Sequence, residues 1–312
     1  MDIVIYGAGA LGSFIGGMLS QQHEVTLVGR AAHMEAIQRQ GLYISGQTEL
    51  VVHPAVATMP PDTGADLVIL TVKAYDTAAA ARDLKDAYTA PVLSLQNGLD
   101  NEQILSEILG ERRVIGGVTS HGLRYLEPGH IEHTGTGDTL IGELDGSHSE
   151  RIEVIAGALS DCGVATAISR DIWREIWRKA IVNAAINPVT ALLRCPNGFL
   201  LEQEYTRRLM EQVCNEGGAV ARANGIEVGD VLAQAKLVAR RTAGNHSSML
   251  QSLQRGQPTE IDHINGAIVS RGEKHGIATP VNATLTQLVR AMEEKPLLPQ
   301  EGTGHSTAAE DR

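Results

Sequence analysis

The chain has 312 residues, 43% hydrophobic and 20% charged, enough to bury two sizeable cores. Its formal net charge is -11, and the 26 Lys and Arg are scattered among 37 Asp and Glu without forming a basic stripe, which excludes a nucleic-acid surface. Cys162, Cys195 and Cys214 form no CxxC or Cys/His cluster and are expected as reduced thiols in core positions. The N-terminus shows no basic leader, and no apolar run approaches the roughly 18 residues of a membrane span, so the expected compartment is the cytoplasm.

The first half alternates short apolar runs with helical patterns: Ile3 to Tyr6, Leu11 to Leu19, Glu24 to Val28, Ala32 to Gln40, Leu67 to Val72, Thr77 to Ala87 and Val92 to Leu95. That alternation predicts βαβ units on a parallel sheet. Between Val114 and Gly142 the pattern shortens to β-prone pieces, expected as antiparallel strands that close the sheet. A helix near Glu150 to Ser160 and a strand near Val164 to Ala167 end the unit. Beyond about Ser169 the periodicity is helical, with Trp173, Ile176, Trp177 and Ala180 on one face and a long segment from Arg207 to Ala223. The fold class is therefore α/β: a Rossmann-type dinucleotide-binding domain over 1–168, an all-α domain over 169–296, and a disordered tail over 297–312. The active site is expected in the interdomain cleft.

The loop Gly7-Ala8-Gly9-Ala10-Leu11-Gly12 follows an apolar strand and opens an amphipathic helix. In that context GxGxxG marks a pyrophosphate site, with glycines for the tight turn and close approach and free helix amides for the phosphates. After the second strand comes Arg30, where NAD-preferring folds carry an acid for the ribose hydroxyls; a guanidinium suits a 2′-phosphate, so NADP(H) is the expected cofactor. Lys73 and Asn97 end two further strands, where ligands of open α/β sheets bind. Asn97-Gly98 is also a good plain turn.

In the second half Lys179, Asn183 and Asn187 recur every fourth residue and share one helix face among apolar neighbours. Buried amides need partners, and a hydroxylated keto substrate offers them. A lysine ammonium in a dry pocket can bond a ketone oxygen and release a proton as hydride arrives, which makes Lys179 the candidate general acid. A lysine snorkelling to solvent is the structural alternative. Thr259 and Asp262 have helix-start spacing, which places Glu260 in a first helical turn where dipole compensation alone would explain it. Ser248 reads locally as a loop hydroxyl. His121, His130, His133, His246 and His263 lack ligand spacing and are expected on loops or the surface, with no metal assigned.

Six segments in order resemble the ketopantoate reductase (2-dehydropantoate 2-reductase) family: the GAGALG loop, Thr71-Val72-Lys73-Ala74, Leu95-Gln96-Asn97-Gly98, Lys179 through Asn187-Pro188, Ser247 through Gln251, and Thr259-Glu260-Ile261-Asp262 with Ile264-Asn265-Gly266. The resemblance runs from Met1 to about Met292. It implies NADPH-dependent reduction of 2-dehydropantoate, with Lys179 as catalytic lysine and Glu260 as its acidic partner. It implies that Asn183, Asn187, Asn245 and Ser248 hold the substrate, that Asn97 lies between nicotinamide and substrate, and that Arg30 meets the 2′-phosphate. Gly7 through Gly12, Lys73 and Glu260 complete the expected cofactor site. The chain departs from the family pattern at Ser252, where an acid is frequent, and over Thr119 to Tyr125. Another branched 2-keto acid as substrate, or an NADP-sensing protein without turnover, are the competing readings. The expected partner is a small 2-keto acid, and the expected state a monomer or homodimer.

Overall fold

The computed structural model describes residues 1–294; the tail expected over 297–312 lies outside them. Strand β1 (Asp2–Tyr6) carries the apolar run Ile3-Val4-Ile5, all buried, and pairs in parallel with both β2 (Glu24–Val28) and β6 (Leu67–Leu70). A strand covered on both faces needs such a continuous apolar run. Helix α1 (Ala10–Leu19) crosses from β1 to β2, and α2 (Ala31–Gln40) follows β2. Strands β3 (Leu42–Gly46), β4 (Leu50–Val52) and β5 (Ala55–Ala57) come next, then α3 (Thr77–Ala87), β7 (Val92–Ser94), α4 (Asn101–Leu109) and β8 (Val114–Thr119). The domain continues through β9 (Gly122–Glu127), β10 (His130–Gly135), β11 (Thr139–Glu143), α5 (Glu150–Asp161) and β12 (Thr166–Ile168).

Among the described residues the main sheet runs β12-β11-β8-β7-β6-β1-β2-β5. It is parallel except at the β11–β8 pair. The expectation that every strand between Val114 and Gly142 closes this sheet is corrected. Only β8 and β11 join it, whereas β9 and β10 leave it to form a second sheet, β4-β3-β10-β9, with β10 parallel to β3. Leu42, Ile44 and Ile131 of this small sheet pack with Phe14, Ile15 and Leu19 of α1. The apolar faces of β3 and β10 thus find burial under the dinucleotide helix and not at a sheet edge.

Three histidines lie at that packing. His33 Nε2 bonds Ser13 Oγ (2.9 Å) and its Nδ1 accepts from Gly129 N (2.9 Å), while His121 Nδ1 meets His133 Nε2 at 3.1 Å and His133 Nδ1 meets Thr48 Oγ1 at 2.9 Å. The loop-or-surface expectation for His133 is therefore corrected: it is buried on β10 and paired through both ring nitrogens, while His121 lies on the loop between β8 and β9, half-buried against it. The three cysteines are free and buried, as expected.

The helical domain is built on α6 (Ile172–Leu193), which is apolar on most of its circumference, as a helix covered on most sides must be. Around it pack α8 (Glu204–Ala223), α9 (Val231–Arg241), α10 (Ser248–Gln254) and α12 (Pro280–Glu294), with the short α7 (Phe199–Glu202) between α6 and α8 and α11 (Asn265–Lys274) before α12. Pro188 lies inside α6. It has no N–H to donate one turn back, which leaves the Ala184 carbonyl without its helical partner. Asn265 Nδ2, fully buried, donates to that carbonyl at 3.1 Å and to Asn282 Oδ1 at 3.0 Å. Asn282 Nδ2 in turn donates to Glu216, whose carboxylate also takes the N–H groups of Val281 and Asn282 and so caps α12. None of the helices is long and apolar enough to cross a membrane among the described residues.

Candidate active site

The glycine loop has the geometry a dinucleotide needs. Gly7 has φ +108°, and a Cβ there would lie 2.5 Å from the Val72 nitrogen, so only glycine fits. At Gly12 a Cβ would lie 2.6 Å from the Gly7 carbonyl oxygen, which Thr71 Oγ1 already holds by a 2.9 Å bond. Gly9 differs: it is exposed, and beside it a Cβ would meet nothing nearer than 4.0 Å, leaving room for a ligand against the backbone. Gly9 is also the N-cap of α1 and supplies no side-chain cap, and the first helical bond is from Ser13 N to Gly9 O. The N–H groups of Ala10, Leu11 and Gly12 therefore lack helical acceptors, and no acid in the first turn competes for an anion there. Ala8 is buried behind the loop.

Arg30 lies beyond β2, one residue intervening, as the exposed N-cap of α2, with Tyr75 and Tyr125 within reach of its charge. Lys73 and Asn97 stand beyond the carboxyl ends of β6 and β7. Both converge on Glu260 of the helical domain: its Oε2 accepts from Lys73 Nζ at 3.0 Å and from Asn97 Nδ2 at 3.4 Å, and its Oε1 from the Ala74 N–H at 3.2 Å. Glu260 is 5% exposed and Lys73 36%. The reading of Glu260 as a helix-dipole acid is corrected: it precedes the short 3-10 turn Ile261–His263, and its carboxylate crosses to the other domain. Thr259 does brace the turn, its Oγ1 accepting from Ile261 N at 3.2 Å.

Lys179 is half-buried on α6. Burial pushes its ammonium down to about 8, while the charges of Glu260 and Glu102 pull it back up. Asn183 is half-buried one turn on, and Asn187, 6% exposed, follows it. Asn245 lies against the other domain: a Cβ on Gly122 would be 3.3 Å from its Nδ2. Ser248 is exposed in the first turn of α10, and its neighbour Ser247 is the buried N-cap, accepting from Leu250 N at 3.2 Å and meeting Thr190 Oγ at 2.8 Å.

Three groups around this cleft were not singled out from the sequence. Asp100, at the start of α4, pairs with Arg271 (2.6 Å) and faces His263 (3.8 Å); burial alone would raise its carboxyl, but its contacts with the His263 ring and the Arg271 guanidinium hold it below its ordinary value. Arg255 donates to the Tyr125 carbonyl at 2.7 Å, a further bridge between the domains. Glu102, 1% exposed, accepts from Ser94 Oγ at 2.8 Å beneath the Asn97 loop. Acids and arginines give no sign of such roles in a sequence; only the packing of non-local segments does.

A glycine loop with free helix amides, opposed by a lysine and amides on a buried helix, defines a nicotinamide-dinucleotide oxidoreductase with a helical second domain. Residues 3–146 match the family model described as Ketopantoate reductase PanE/ApbA, and residues 171–293 match the model of its C-terminal part. The 2-dehydropantoate 2-reductase of Archaeoglobus fulgidus is 41% identical, over 93% of this chain and 97% of its own, and that of Pyrococcus horikoshii is 40% identical, over 94% and 98%. A PanE/ApbA family ketopantoate reductase from Ralstonia eutropha superposes with TM-score 0.87 at 36% identity, over 94% of this chain and 98% of that one. D-mandelate dehydrogenase with NADH and anilino(oxo)acetate superposes with TM-score 0.89 at 30% identity, over the same shares. The chain belongs to the ketopantoate reductase family.

Proposed function

We propose that this enzyme reduces 2-dehydropantoate to (R)-pantoate with NADPH. The observation that carries the reading is the meeting of the two halves at Glu260, where Lys73, Ala74 and Asn97 from the dinucleotide domain bond a carboxylate that also acts on Lys179. The relatives at about 40% identity bear the same activity in their names.

The amides of Ala10, Leu11 and Gly12 would hold the pyrophosphate, with Gly7, Ala8 and Gly9 shaping the turn, and Arg30 would take the 2′-phosphate. When bound, the cofactor supplies hydride to the C2 carbonyl carbon. Lys179 hydrogen-bonds the carbonyl oxygen and gives it a proton, so the ketone becomes a hydroxyl and the lysine a neutral amine that regains its proton from solvent. Its lowered proton affinity makes that transfer easier near neutral pH, while Glu260 keeps the charged form available. Lys73 and Asn97 fix Glu260 and border the nicotinamide. Asn183, Asn187, Asn245 and Ser248 orient the substrate's carboxylate and hydroxyl. The dinucleotide unit is taken as 1–168 and the catalytic helical unit as 169–296, in a cytoplasmic enzyme.

A different branched 2-keto acid is the second reading, favoured by the similarity to D-mandelate dehydrogenase. The test is kcat/KM with NADPH over a panel of 2-keto acids. A clear preference for 2-dehydropantoate is expected; a better bulky or aryl keto acid would transfer the reading to that substrate, and no oxidation with any of them would overturn both.

A further inference from the structure

The Asn97 loop meets the helical domain along a line of contacts that Glu260 only begins. Asn97 Nδ2 reaches Glu260 Oε2 at 3.4 Å, and two residues on the Leu99 N–H donates to the His263 carbonyl at 3.1 Å, a backbone bond across the domain seam. Between them Gly98 has φ +112°, and a Cβ there would lie 2.9 Å from the same carbonyl. The turn is glycine because the backbone of the other domain leaves a side chain no room. Within its own domain the loop is held by Asn101, whose Nδ2 donates to the Asn97 carbonyl at 2.8 Å and whose Oδ1 accepts from Thr77 Oγ1 at 2.8 Å.

Arg271 of α11 closes the line. One guanidinium nitrogen pairs with Asp100 Oδ1 at 2.6 Å, the other donates to the Leu99 carbonyl at 3.0 Å, and the guanidinium carbon lies 5.7 Å from the centroid of the Trp177 ring. Trp177 is buried and stands two residues before Lys179 on α6. A single planar cation therefore joins the loop that carries Asn97 to the helix that carries Lys179. A lysine could pair with Asp100 as a point charge, but it could not at once fork to the Leu99 carbonyl and lie over the indole.

We propose that Arg271 is a positioning residue for the reduction. It sets the Asn97 loop against α6, so that Asn97 on one wall and Lys179, Asn183 and Asn187 on the other stand in place before the keto acid enters. This rests on the reading of those residues as flanking the substrate. Without the guanidinium the fraction of molecules with both walls in place falls, and the apparent affinity for substrate falls by the same fraction. Turnover at saturating substrate falls less, because bound substrate restores the arrangement.

The test is the Arg271→Met variant of the full chain, assayed with NADPH and the best keto acid of the panel. Its KM for the keto acid should rise about tenfold or more while kcat falls less than about threefold. Arg271→Lys should recover only part of the loss. In an Asn97→Ala background the same change should raise KM by less than about twofold, since the loop then presents nothing to the substrate. If Arg271→Met does not fold, Asp100→Asn removes the ion pair, leaves the Leu99 bond, and should give the same pattern to a smaller degree. An unchanged KM in the folded variant, or an equal rise with and without Asn97, overturns the proposal. Failure of the reading beneath it is seen separately, as an Asn97→Ala variant whose own KM and kcat match the parent's.

Discussion

Replacing Asn265 by Ala should destabilise the helical domain through the Ala184 carbonyl, which the residue-188 N–H of α6 would satisfy were that residue not Pro188. The Ala184 oxygen would lose its donor, and so would Asn282 Oδ1. Buried acceptors left unpaired cost ~1–3 kcal/mol each. Allowing for some water entry, the loss should be about 3 kcal/mol, a fall of roughly 6–12 °C in Tm. The decisive assay is a double-mutant cycle with Pro188→Ala, followed by urea unfolding at constant m. With alanine at 188 the backbone N–H returns and can donate to the Ala184 carbonyl, so Asn265→Ala should cost about 1–2 kcal/mol less in that background. Equal costs in the two backgrounds, within about 0.5 kcal/mol, would refute the idea that Asn265 stands in for the missing helical bond.

If Arg30 takes the 2′-phosphate as proposed, Arg30→Ala should lower kcat/KM for NADPH by about 10- to 100-fold and leave NADH nearly unchanged; an equal loss with both cofactors would contradict the proposed preference for NADP. The kcat/KM for 2-dehydropantoate should fall as pH rises through about 8, where Lys179 loses its proton; a flat alkaline limb in stopped-time assays would argue against a lysine acid. His33 and His121 are pushed by burial from 6.5 down to about 4. Between those values the unfolded chain takes up protons that the folded chain refuses, so stability is full above about 6.5 and declines as pH falls toward about 4. Urea midpoints across that window check this, and a midpoint that does not fall would contradict it. Asp100→Asn should weaken the latch to Arg271, raising the KM for the keto acid more than it lowers kcat; unchanged KM would remove the latch from substrate binding.

The parallel sheet and helical domain were legible because each depends on a local pattern, an apolar run of four or five residues or a 3.6-residue period. The second sheet was not. Its pairing of Tyr43 with His130 joins short segments far apart in sequence, and the burial that stabilises it comes from α1, which neither segment announces. Glu260 shows the same limit at the site: beside Thr259 it has the spacing of a first-turn acid, and only the approach of Lys73 and Ala74 from another domain gives it a different role. Asn265 could be placed in a motif but not explained, because the demand for it arises at Pro188 on another helix. Glu102 looked like any acid near a helix start, and nothing in its neighbours signals burial.

If Lys179 protonates the keto oxygen in a cleft whose opposite wall holds the reduced dinucleotide, removing its ammonium slows the chemical step itself. Single-turnover oxidation of bound NADPH by 2-dehydropantoate in Lys179→Ala tests it most directly, since it isolates the chemical step. The rate should fall about 100-fold or more below the parent with NADPH affinity unchanged; a loss under about tenfold would remove Lys179 as the proton donor.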